Sequence, residues 1–392
     1  MVSVWNPKAK KWISGRKNWR IKLEGIFNED DKVIWFHCAS LGEFEQGRSL
    51  IEKVRIQCPD HKILLTFFSP SGFEKRKDYK LVDHVCYLPL DTSRNAHAFV
   101  HMIPLEKVFF IKYEFWYHFL KNIRAKNVPL YLASGNFQKS HIFFKKYGSW
   151  YRKILGSFTQ IFVQDMESSE LLKKYGFNNF IVSGDTRFDR VKQISVRNTE
   201  MKEVSSFAGD SPILIAGSTW EKDELLIREA YLSLKGKCKW IIAPHEPSEQ
   251  HIHRLKRWFP EALLFSELKK DFEDEIDVII VNTIGHLSSL YHYGLIAYIG
   301  GGFGKGIHNI LEASAAGLPV LFGPNYNRFR EALDLKSAGA AYVVEHSDDL
   351  IRQILLMLND QGLLKTRSQI AENYTISNTG ATDKIVDFVF KS

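Results

Sequence analysis

Long apolar runs are missing from this sequence, since no stretch reaches the ~18 apolar residues that a helix needs to cross a bilayer. No signal peptide starts the chain either, so we expect a protein that is not exported. Cysteine is scarce, and its residues lie far apart at Cys38, Cys58, Cys86 and Cys238. No pair has the spacing of metal ligands, which argues against a zinc site and indicates reduced thiols in a cytosolic setting.

Low-complexity tracts and recognised nucleic-acid modules are absent as well. The formal net charge of +8 suits a polyanion, but the basic residues are spread along the chain. An anionic membrane surface or a phosphorylated substrate fits the charge equally well, and we expect no nucleic-acid partner. The composition, with 45% hydrophobic residues, is that of a globular protein. At 392 residues the chain exceeds the size of one core, so two domains are expected.

The opening segment, Trp5–Leu23, interleaves lysine and arginine with tryptophan and isoleucine. Aromatic side chains among cations are typical of a membrane interface. The same pattern also fits a solvated basic arm that packs onto the domain through its tryptophans. Both interpretations remain open from the sequence.

Short apolar runs alternate with helical patterns along the whole chain, which predicts an α/β fold of two Rossmann-like domains with parallel sheets facing across a cleft. A polar stretch near residues 191–210 separates two series of strands, so we divide the chain into domains 1–195 and 196–392. The last helix is expected to pack back on the N-terminal domain. The predicted strands are Val33–His37, Ile63–Phe67, Val108–Lys112, Leu130–Ala133, Ile161–Val163, Phe180–Ser183, Ile213–Ala216, Trp240–Ala243, Val278–Val281, Ile296–Gly300 and Val320–Phe322.

A glycine-rich segment, Tyr298–Pro324, combines a strand, a loop and a helix that starts with His308, Asn309 and Glu312. Glycines leave backbone amides uncovered beside a helix N-terminus, which suits a phosphate, and Glu312 can accept two hydroxyl hydrogen bonds from a ribose. The spacing of the dinucleotide fingerprint and of the P-loop is lacking, so a tight turn with a capped helix is the alternative. The candidate glycines are Gly301, Gly302, Gly304 and Gly306.

Two neighbouring strand ends in the second domain also carry polar side chains. The segment AGSTWEKDE places Ser218 and Thr219 after a strand, and APHEPSE places His245 after another. Ligands of open parallel sheets bind beyond the carboxyl ends of the strands. Three polar strand ends in one domain, counting the glycine loop, therefore favour a binding site over isolated turns.

In the first domain, Glu43 follows the first strand at the start of a predicted helix. A helix N-terminus favours a carboxylate, and a carboxylate there can take a proton from an attacking hydroxyl. Ser40 followed by Glu43 is also a capping box, so a purely structural role is the alternative.

Glu114 lies at the end of another strand among aromatic residues, where it is placed to bind a ligand or to raise a neighbour's pKa. The alternative is a structural ion pair with Lys112 or another cation. Ser69, Ser71 and Gly72 form a polar strand-to-helix turn with groups for a sugar or a phosphate, although most such turns are only turns.

Taken in order, these motifs resemble the 3-deoxy-D-manno-octulosonic acid (Kdo) transferases of lipopolysaccharide synthesis. The resemblance extends from about Trp12 to the C-terminal helix. Several motifs in one order are specific, whereas no single one is. The motifs are SLGE at Ser40–Glu43, SPSG at Ser69–Gly72, YEFW at Tyr113–Trp116, GDTRFD at Gly184–Asp189, GSTWEKDE at Gly217–Glu224 and GGGFGKGIHNILEA at Gly300–Ala313.

The resemblance implies a GT-B type glycosyltransferase that moves Kdo from CMP-Kdo to a lipid A precursor with inversion, using neither a metal nor another cofactor. It implies work on the cytoplasmic face of the inner membrane, in contact with the inner leaflet. Glu43 corresponds to the family's general base, with Glu114 as a second catalytic carboxylate. The nucleotide would be bordered by Ser218, Thr219, His245 and the glycine-loop residues, and the other substrate-binding residues would be Ser40, Gly42, Ser69, Ser71, Gly72 and Arg187.

The sequence departs from the family's pattern in two places. Many relatives have Pro-Arg-His where this chain has Pro244, His245 and Glu246, so His245, Lys305 or Arg187 would have to replace the arginine. The apolar anchor with which relatives commonly begin is also absent, so either it was removed or the basic arm suffices for peripheral attachment. The competing functions are a GT-B transferase or epimerase that uses a UDP-sugar, and a non-enzymatic protein that binds polyanions or membrane surfaces.

Overall fold

A computed structural model describes residues 6–196, 200–268 and 276–391. It contains two compact units. The first comprises the described residues up to Arg190 together with those from Asn378 onward, and the second comprises the described part of Val191–Ser377. The division falls inside one helix, Thr186–Val196, which also contains the boundary that the sequence placed after residue 195. The last helix, Ala381–Phe390, belongs to the first unit.

The first unit contains a parallel sheet of seven strands within the described residues, in the order β3-β2-β1-β4-β5-β6-β7. Its strands are β1 Val33–Cys38, β2 Lys62–Phe67, β3 His84–Tyr87, β4 Leu105–Ile111, β5 Leu130–Gly135, β6 Gln160–Val163 and β7 Phe180–Val182. Its helices are α1 Pro7–Gly15, α2 Trp19–Leu23, α3 Leu41–Gln57, α4 Pro70–Arg76, α5 Ser93–Met102, α6 Tyr117–Ala125, α7 Ser149–Leu155, α8 Met166–Lys174, the start of α9 Thr186–Val196, and the C-terminal helix.

The second unit repeats this architecture with the strand order β10-β11-β9-β8-β12-β13-β14 among its described residues. Its strands are β8 Ile213–Thr219, β9 Lys239–Pro244, β10 Leu263–Leu264, β11 Val278–Ile280, β12 Ile296–Ile299, β13 Val320–Phe322 and β14 Ala341–Val343. Its helices are α10 Lys202–Ala208, α11 Glu221–Ser233, α12 Glu249–Trp258, α13 Leu287–Leu290, α14 Leu311–Ala315, α15 Arg330–Ala338, α16 Ser347–Asn359 and α17 Gln361–Ser377, while the C-terminal helix Ala381–Phe390 is α18. Single-turn 3₁₀ helices cover Ile142–Phe144, Phe265–Glu267 and Tyr291–Tyr293.

In each sheet the winding direction reverses beside the first strand. In the first unit β1 lies between β2 and β4, and in the second β8 lies between β9 and β12. Open α/β sheets bind ligands beyond the strand ends at such a switch point. The fold therefore indicates the segments after β1, β4, β8 and β12 as candidate sites.

The predicted strands all appear, and the strands that the sequence missed lie at sheet edges. They are β3, β10 and β14, which are two to four residues long and only partly buried. A central strand such as Val33–Cys38 is buried at every position and gives an apolar run, whereas a short edge strand does not. The prediction also ended β8 too early. Ser218 and Thr219 are the last residues of this strand and do not belong to the loop after it.

The C-terminal helix packs on the first unit through α3 and the start of α9. The carboxylate of Asp189 accepts hydrogen bonds from the backbone amides of Gly380 (2.5 Å) and Thr382 (2.7 Å). The hydroxyl of Thr382 donates to that of Ser49 at 3.0 Å. Asp189, a part of the GDTRFD motif, therefore holds the C-terminal helix to the first unit.

The basic arm forms helices α1 and α2 and packs through aromatic contacts, while Trp5 lies outside the described residues. Arg16 is buried and donates to the carbonyl oxygens of Leu88 (2.8 Å), Trp12 (2.9 Å) and Phe68 (2.6 Å). Its guanidinium also lies over the ring of Trp12, 4.3 Å from the centroid. The arm is thus anchored on the ends of β2 and β3, and its membrane role stays a prediction. In the described part of the chain, no helix is long and apolar enough to cross a membrane.

Candidate active site

Glu43 lies in the first turn of α3, directly after β1, and forms the predicted capping box with Ser40. Both hydrogen bonds to the carboxylate reach the same oxygen, Oε2, from the amide (2.8 Å) and the hydroxyl (3.0 Å) of Ser40. The other oxygen, Oε1, has no hydrogen-bond partner among the described residues. Capping and proton transfer are therefore compatible, because they use different oxygens of one carboxylate.

Glu114 follows β4, the neighbour of β1, and its carboxylate is buried beside His37 at the end of β1. Its Oε2 lies 3.2 Å from His37 Nε2 and accepts a hydrogen bond from Trp116 Nε1 at 2.5 Å. The observed partner of Glu114 is thus the buried His37. Its Oε1, like that of Glu43, has no partner in the described part of the chain.

A hydrogen-bonded chain extends below Glu114 into the sheet. Thr66 Oγ1 lies 2.8 Å from His37 Nδ1 and accepts from Trp35 Nε1 at 2.8 Å. In one consistent arrangement Thr66 donates to Nδ1, His37 donates from Nε2 to Glu114, and Trp116 Nε1, 3.0 Å from His37 Nε2, donates to Glu114 alone. This arrangement holds Glu114 in place from three strands, β1, β2 and β4.

The two carboxylates influence each other. Burial raises the pKa of Glu43 above its usual value, and the charge of Glu114 adds to the rise. The hydrogen bonds from Ser40 act in the opposite direction on this pKa, but the net shift is upward. A carboxylate with a raised pKa is a stronger base, which suits proton abstraction from a hydroxyl.

Gly42 and Gly72, both predicted to bind substrate, are glycines for different reasons. A Cβ on Gly72 would lie 2.3 Å from Cδ1 of Phe67, so close packing accounts for this glycine. A Cβ on Gly42 would approach only Ser40 Oγ, at 3.9 Å, within 4 Å. Space beside Gly42 is therefore open next to the catalytic candidate.

Ser69 and Ser71 lie at the start of α4, where their hydroxyls are 2.7 Å apart. Ser71 is exposed and Ser69 is half-buried. The hydroxyls remain candidates for a polar ligand.

The guanidinium of Arg187 pairs with the carboxylate of Asp185. Its Nε and Nη2 lie 2.8 and 2.7 Å from the same oxygen, Oδ2. Its neighbour Thr186 is buried and donates to the carbonyl oxygen of Gln46 at 2.6 Å. The GDTRFD motif thus has a structural function in this unit, and Arg187 is its half-exposed cation.

In the second unit, the buried carboxylate of Asp223 joins the ends of β8 and β12. Its Oδ2 accepts from the amides of Trp220 and Gly301, both at 2.9 Å, and its Oδ1 accepts from the hydroxyl of Tyr298 at 2.8 Å. Burial raises the pKa of Asp223, and these hydrogen bonds oppose that shift. Asp223 therefore fixes where the glycine loop starts, a role that the sequence did not indicate.

The glycine loop differs from its prediction in two respects. The amides of Gly304 and Gly306 both donate to the carbonyl oxygen of Gly301, and that of Gly301 donates to Asp223, so the view of these amides as uncovered was wrong. The helix begins at Leu311, so His308 and Asn309 precede it. The amides of Lys305 and Asn309 donate to no acceptor among the described residues.

Close backbone contacts explain the glycine content of this loop. A Cβ on Gly302 would lie 2.6 Å from the backbone of Gly323, and Gly301 has a φ of +93°, which other residues rarely adopt. The glycines therefore allow β12, its loop and the end of β13 to approach each other.

His245 and His308 are brought together with Trp220 in a stack of rings. The two imidazole centroids are 4.0 Å apart at 16°, and Trp220 lies 5.0 Å from His245. The indole Nε1 of Trp220 donates to His308 Nε2 at 2.8 Å. Burial and the neighbouring His245 lower the pKa of His308 to about 4, so its ring is neutral and donates through Nδ1 at neutral pH.

Glu312 lies in the first turn of α14, and each of its oxygens already accepts one hydrogen bond. Ser288 Oγ donates to Oε2 at 2.5 Å and Asn309 Nδ2 donates to Oε1 at 2.9 Å. Each carboxylate oxygen can accept a further bond, so Glu312 can still bind a diol.

Ser218 and Thr219 differ in their access to a ligand. Thr219 is buried and its hydroxyl donates to Glu224 at 2.9 Å, so this side chain supports the site without lining its surface. Ser218, which precedes Thr219 in β8, is half-buried and has a left-handed backbone conformation with a φ of +55°. Glu224 is also buried and lies 2.7 Å from His251 Nε2.

Sequence reasoning missed four residues of these sites, namely His37, Trp116, Asp223 and Trp220. Trp116 and Trp220 lie inside motifs that were recognised, so their place in those motifs was an available signal. The pairings of His37 with Glu114 and of Asp223 with Gly301 join residues more than 70 positions apart, and no local pattern shows them. No group of three or more metal-binding side chains is arranged to hold a metal ion within the described residues.

The two parallel sheets and their sites at the switch points define the GT-B fold, as comparison with solved structures confirms. UDP-GlcNAc 2-epimerase from Neisseria meningitidis matches at a TM-score of 0.66 with 14% identity, over 92% of this chain and 100% of that one. MurG from Acinetobacter baumannii matches at a TM-score of 0.56 with 13% identity, over 92% and 100%. At these identities the likeness shows the fold alone.

Residues 16–190 match the family model of the 3-deoxy-D-manno-octulosonic-acid transferases. These similarities confirm the predicted resemblance to the Kdo transferases, and the structural neighbours confirm the predicted GT-B fold class. Kdo transferases of Aquifex aeolicus and Rickettsia felis are 27% and 26% identical, covering 87% and 92% of this chain and 90% and 79% of their own. The enzyme of Bordetella pertussis is 25% identical over 90% of this chain and 86% of its own.

Proposed function

We propose that this protein transfers Kdo from CMP-Kdo to a lipid A precursor, with inversion at the anomeric carbon and Glu43 as the general base. The observation that carries the proposal is the geometry of Glu43 at the switch point beside β1. One carboxylate oxygen is fixed by Ser40, and the other has no partner among the described residues. The free oxygen Oε1 takes the proton of an acceptor hydroxyl as that hydroxyl attacks the sugar.

Glu114 supports this base through its charge. It raises the pKa of Glu43, and its own position is fixed by His37 and Trp116. The sugar becomes electron-poor as the bond to CMP breaks, by analogy with glycoside hydrolysis. Glu114, as a second fixed carboxylate, stabilises the positive charge that develops on the sugar, and it also stabilises the protonated form of Glu43.

The second unit would hold the nucleotide of the donor. His308 presents an Nδ1 donor, and the free amides of Lys305 and Asn309 point to a phosphate as their acceptor. The side chain of Lys305 is exposed on the same loop and supplies the positive charge that the family pattern provides by arginine. Glu312 would accept from the ribose hydroxyls. These donors act on the departing phosphate, so transfer without a metal is part of the proposal.

The membrane contact would involve the exposed face of α1 and α2. Ile13 and Ile21 are 43% and 71% exposed, and Lys22, which follows Ile21, and Lys17, between the two helices, are exposed as well. Exposed isoleucines among lysines suit the anionic inner leaflet on the cytoplasmic face of the inner membrane. Flotation with anionic vesicles should recover the wild type, and recovery should fall in an Ile13→Ser/Ile21→Ser variant.

Nucleotide competition under metal chelation tests the donor assignment. CMP should compete with CMP-Kdo, and UDP at the same concentration should not. Transfer that persists in excess chelator supports the metal-free mechanism. Competition by UDP would instead favour the UDP-sugar transferase or epimerase, and salt-sensitive polyanion binding without turnover would favour a non-enzymatic protein.

A further inference from the structure

An aromatic cavity of about 520 Å³ opens in the first unit. Its volume is within the range of small-molecule sites, about 300–1,000 Å³. Two isoleucines, Ile142 and Ile154, complete a lining that is mostly apolar. The aromatic residues of the lining are Tyr113, Phe115, Tyr117, Phe143, Trp150 and Tyr151.

Ring contacts fix the walls of this aromatic cavity. Phe115 and Phe143 meet edge to face at 4.6 Å, and Trp150 lies 5.1 Å from Tyr117 and 4.9 Å from Tyr151. Rings packed against each other lose little freedom when a ligand enters, so the cavity is preformed. Trp150 is 48% exposed and therefore forms its rim.

Two polar side chains of the lining, Asp91 and His141, are held by the protein itself. Asp91 accepts from the amides of His118 (3.2 Å) and Phe119 (3.1 Å) at the start of α6. His141 Nδ1 accepts from the amide of Gln138 at 3.3 Å. An alkyl chain needs apolar contact, which the rings and the two isoleucines of the lining supply.

Exposed cations accompany this apolar lining along the same stretch of chain. Lys139 and Lys146 lie on the segment that supplies His141, Ile142 and Phe143, and Lys153 lies on α7 with Trp150 and Tyr151. An apolar cavity with a basic border complements an amphiphile that has an anionic head group.

The cavity is also close to the candidate catalytic groups within this unit. Tyr113, in its lining, directly precedes Glu114 in the segment after β4. A ligand whose chain enters the cavity would therefore carry its head group towards the end of β4.

We propose that the aromatic cavity binds an acyl chain of the phosphorylated glycolipid acceptor, with Trp150 closing over the chain at the rim. This inference rests on the proposed function, because it names the part of the acceptor that the first unit recognises. It assigns the basic residues beside the cavity to the head-group phosphate.

The test has a binding arm that does not depend on catalysis. The probe is a dodecyl phosphate with a photoreactive diazirine at the end of its chain, used below its micelle concentration with the full-length protein. After irradiation, label should appear in the peptides that contain Tyr113 and residues 142–154. Trp150→Ala should reduce this labelling by about tenfold, and Trp150→Phe should restore most of it. Tyr147→Ala is the matched control, because Tyr147 is 73% exposed on the same segment but does not line the cavity.

The kinetic arm compares an acylated acceptor with its fully deacylated form. Trp150→Ala should raise KM about tenfold for the acylated acceptor and leave the deacylated one unchanged. Labelling that is equal in wild type and Trp150→Ala, or that falls only on α1 and α2, would overturn the proposal. If labelling follows the expected pattern but no Kdo transfer occurs, the cavity assignment stands and the proposed function fails.

Discussion

Oxygen Oε2 of Glu43 accepts hydrogen bonds from both the backbone amide and the hydroxyl of Ser40, at 2.8 and 3.0 Å. Ser40 alone therefore holds this carboxylate, through one of its two oxygens. Because Oε1 has no partner among the described residues, the cap that stabilises α3 also orients a proton acceptor. Glu43 thus has a structural and a proposed catalytic role at once, and substitutions can separate them.

Replacing Glu43 by glutamine should remove the base and keep the cap, because the amide oxygen can accept both bonds from Ser40. We expect the rate of transfer to fall by about 10²–10⁴-fold. Glu45→Gln is the matched control, since Glu45 lies on the same helix and pairs with Arg76 at 2.7 Å. Steady-state rates of the two variants measure the difference, and equal rates would exclude Glu43 as the base.

The same Glu43→Gln variant should be more stable than the wild type above the pKa of Glu43. Because burial raises this pKa in the folded state, the ionised carboxylate destabilises the fold, and stability declines as pH rises from about 4.5 through the raised value. The gain in Tm should be present at pH 8 and disappear near pH 4. Thermal unfolding at both pH values checks the sign, and a gain confined to acid pH would contradict it.

Gly42→Ala should increase stability while it decreases activity, whereas alanine at a tightly packed glycine should decrease stability. Alanine in a helix is favoured by about 0.5–1 kcal/mol, and its Cβ would meet only Ser40 Oγ at 3.9 Å. We expect a more stable protein with slower transfer, because the methyl group fills space beside Glu43.

Gly47→Ala on the same helix is the control for that experiment. Its Cβ would lie 3.0 Å from Ile111 Cγ1 in the core, so this variant should lose stability. Denaturant unfolding of both variants distinguishes the cases. Full activity in Gly42→Ala would show that no substrate approaches across Gly42.

Asp189→Ala should weaken the attachment of the C-terminal helix without affecting nucleotide binding. The change leaves the amides of Gly380 and Thr382 without their acceptor, which corresponds to losing a helix cap at about 1 kcal/mol. Asp383→Ala, which breaks an exposed ion pair with Lys53, should have a smaller effect. Chemical unfolding and CMP titration are the measurements, and a loss of CMP affinity in the folded variant would contradict this structural role.

Trp220→Phe should raise the pKa of His308 from about 4 towards its ordinary value, because the ring loses cover and its indole donor. A histidine whose pKa is lowered in the folded state makes the protein lose stability as pH falls from 6.5 to about 4. The variant should therefore lose less stability than the wild type in that range. NMR titration of His308 gives the pKa directly. Trp116→Phe, in the first unit, should leave this titration unchanged, and no shift in Trp220→Phe would contradict the account.

The sequence predicted the parts of this protein that depend on local pattern. The central strands appear as apolar runs, and Glu43 was placed at a helix N-terminus from the spacing of Ser40 and the preceding strand. The glycine loop was recognised, but its amides proved to be partly engaged within the protein. Periodicity and capping patterns carry this kind of information because they involve neighbours in the chain.

The remaining features depend on pairings across the sheets. Trp220 and His308 are 88 positions apart, and His37 and Glu114 are 77 apart, yet each pair is in hydrogen-bond contact. Thr219 was expected to border a ligand, but the buried Glu224 takes its hydroxyl. Only the strand order, with β1 beside β4 and β8 beside β12, brings such groups together.

The most direct test of the account measures CMP release from freshly prepared CMP-Kdo, with and without a lipid A precursor, in the presence of a metal chelator. The account predicts release by the wild type that depends on the acceptor and is lost in Glu43→Ala. CMP binding to that variant should be unchanged, which separates loss of the base from loss of the donor site. Release at the wild-type rate by Glu43→Ala, or no acceptor-dependent release by the wild type, would contradict the central claim.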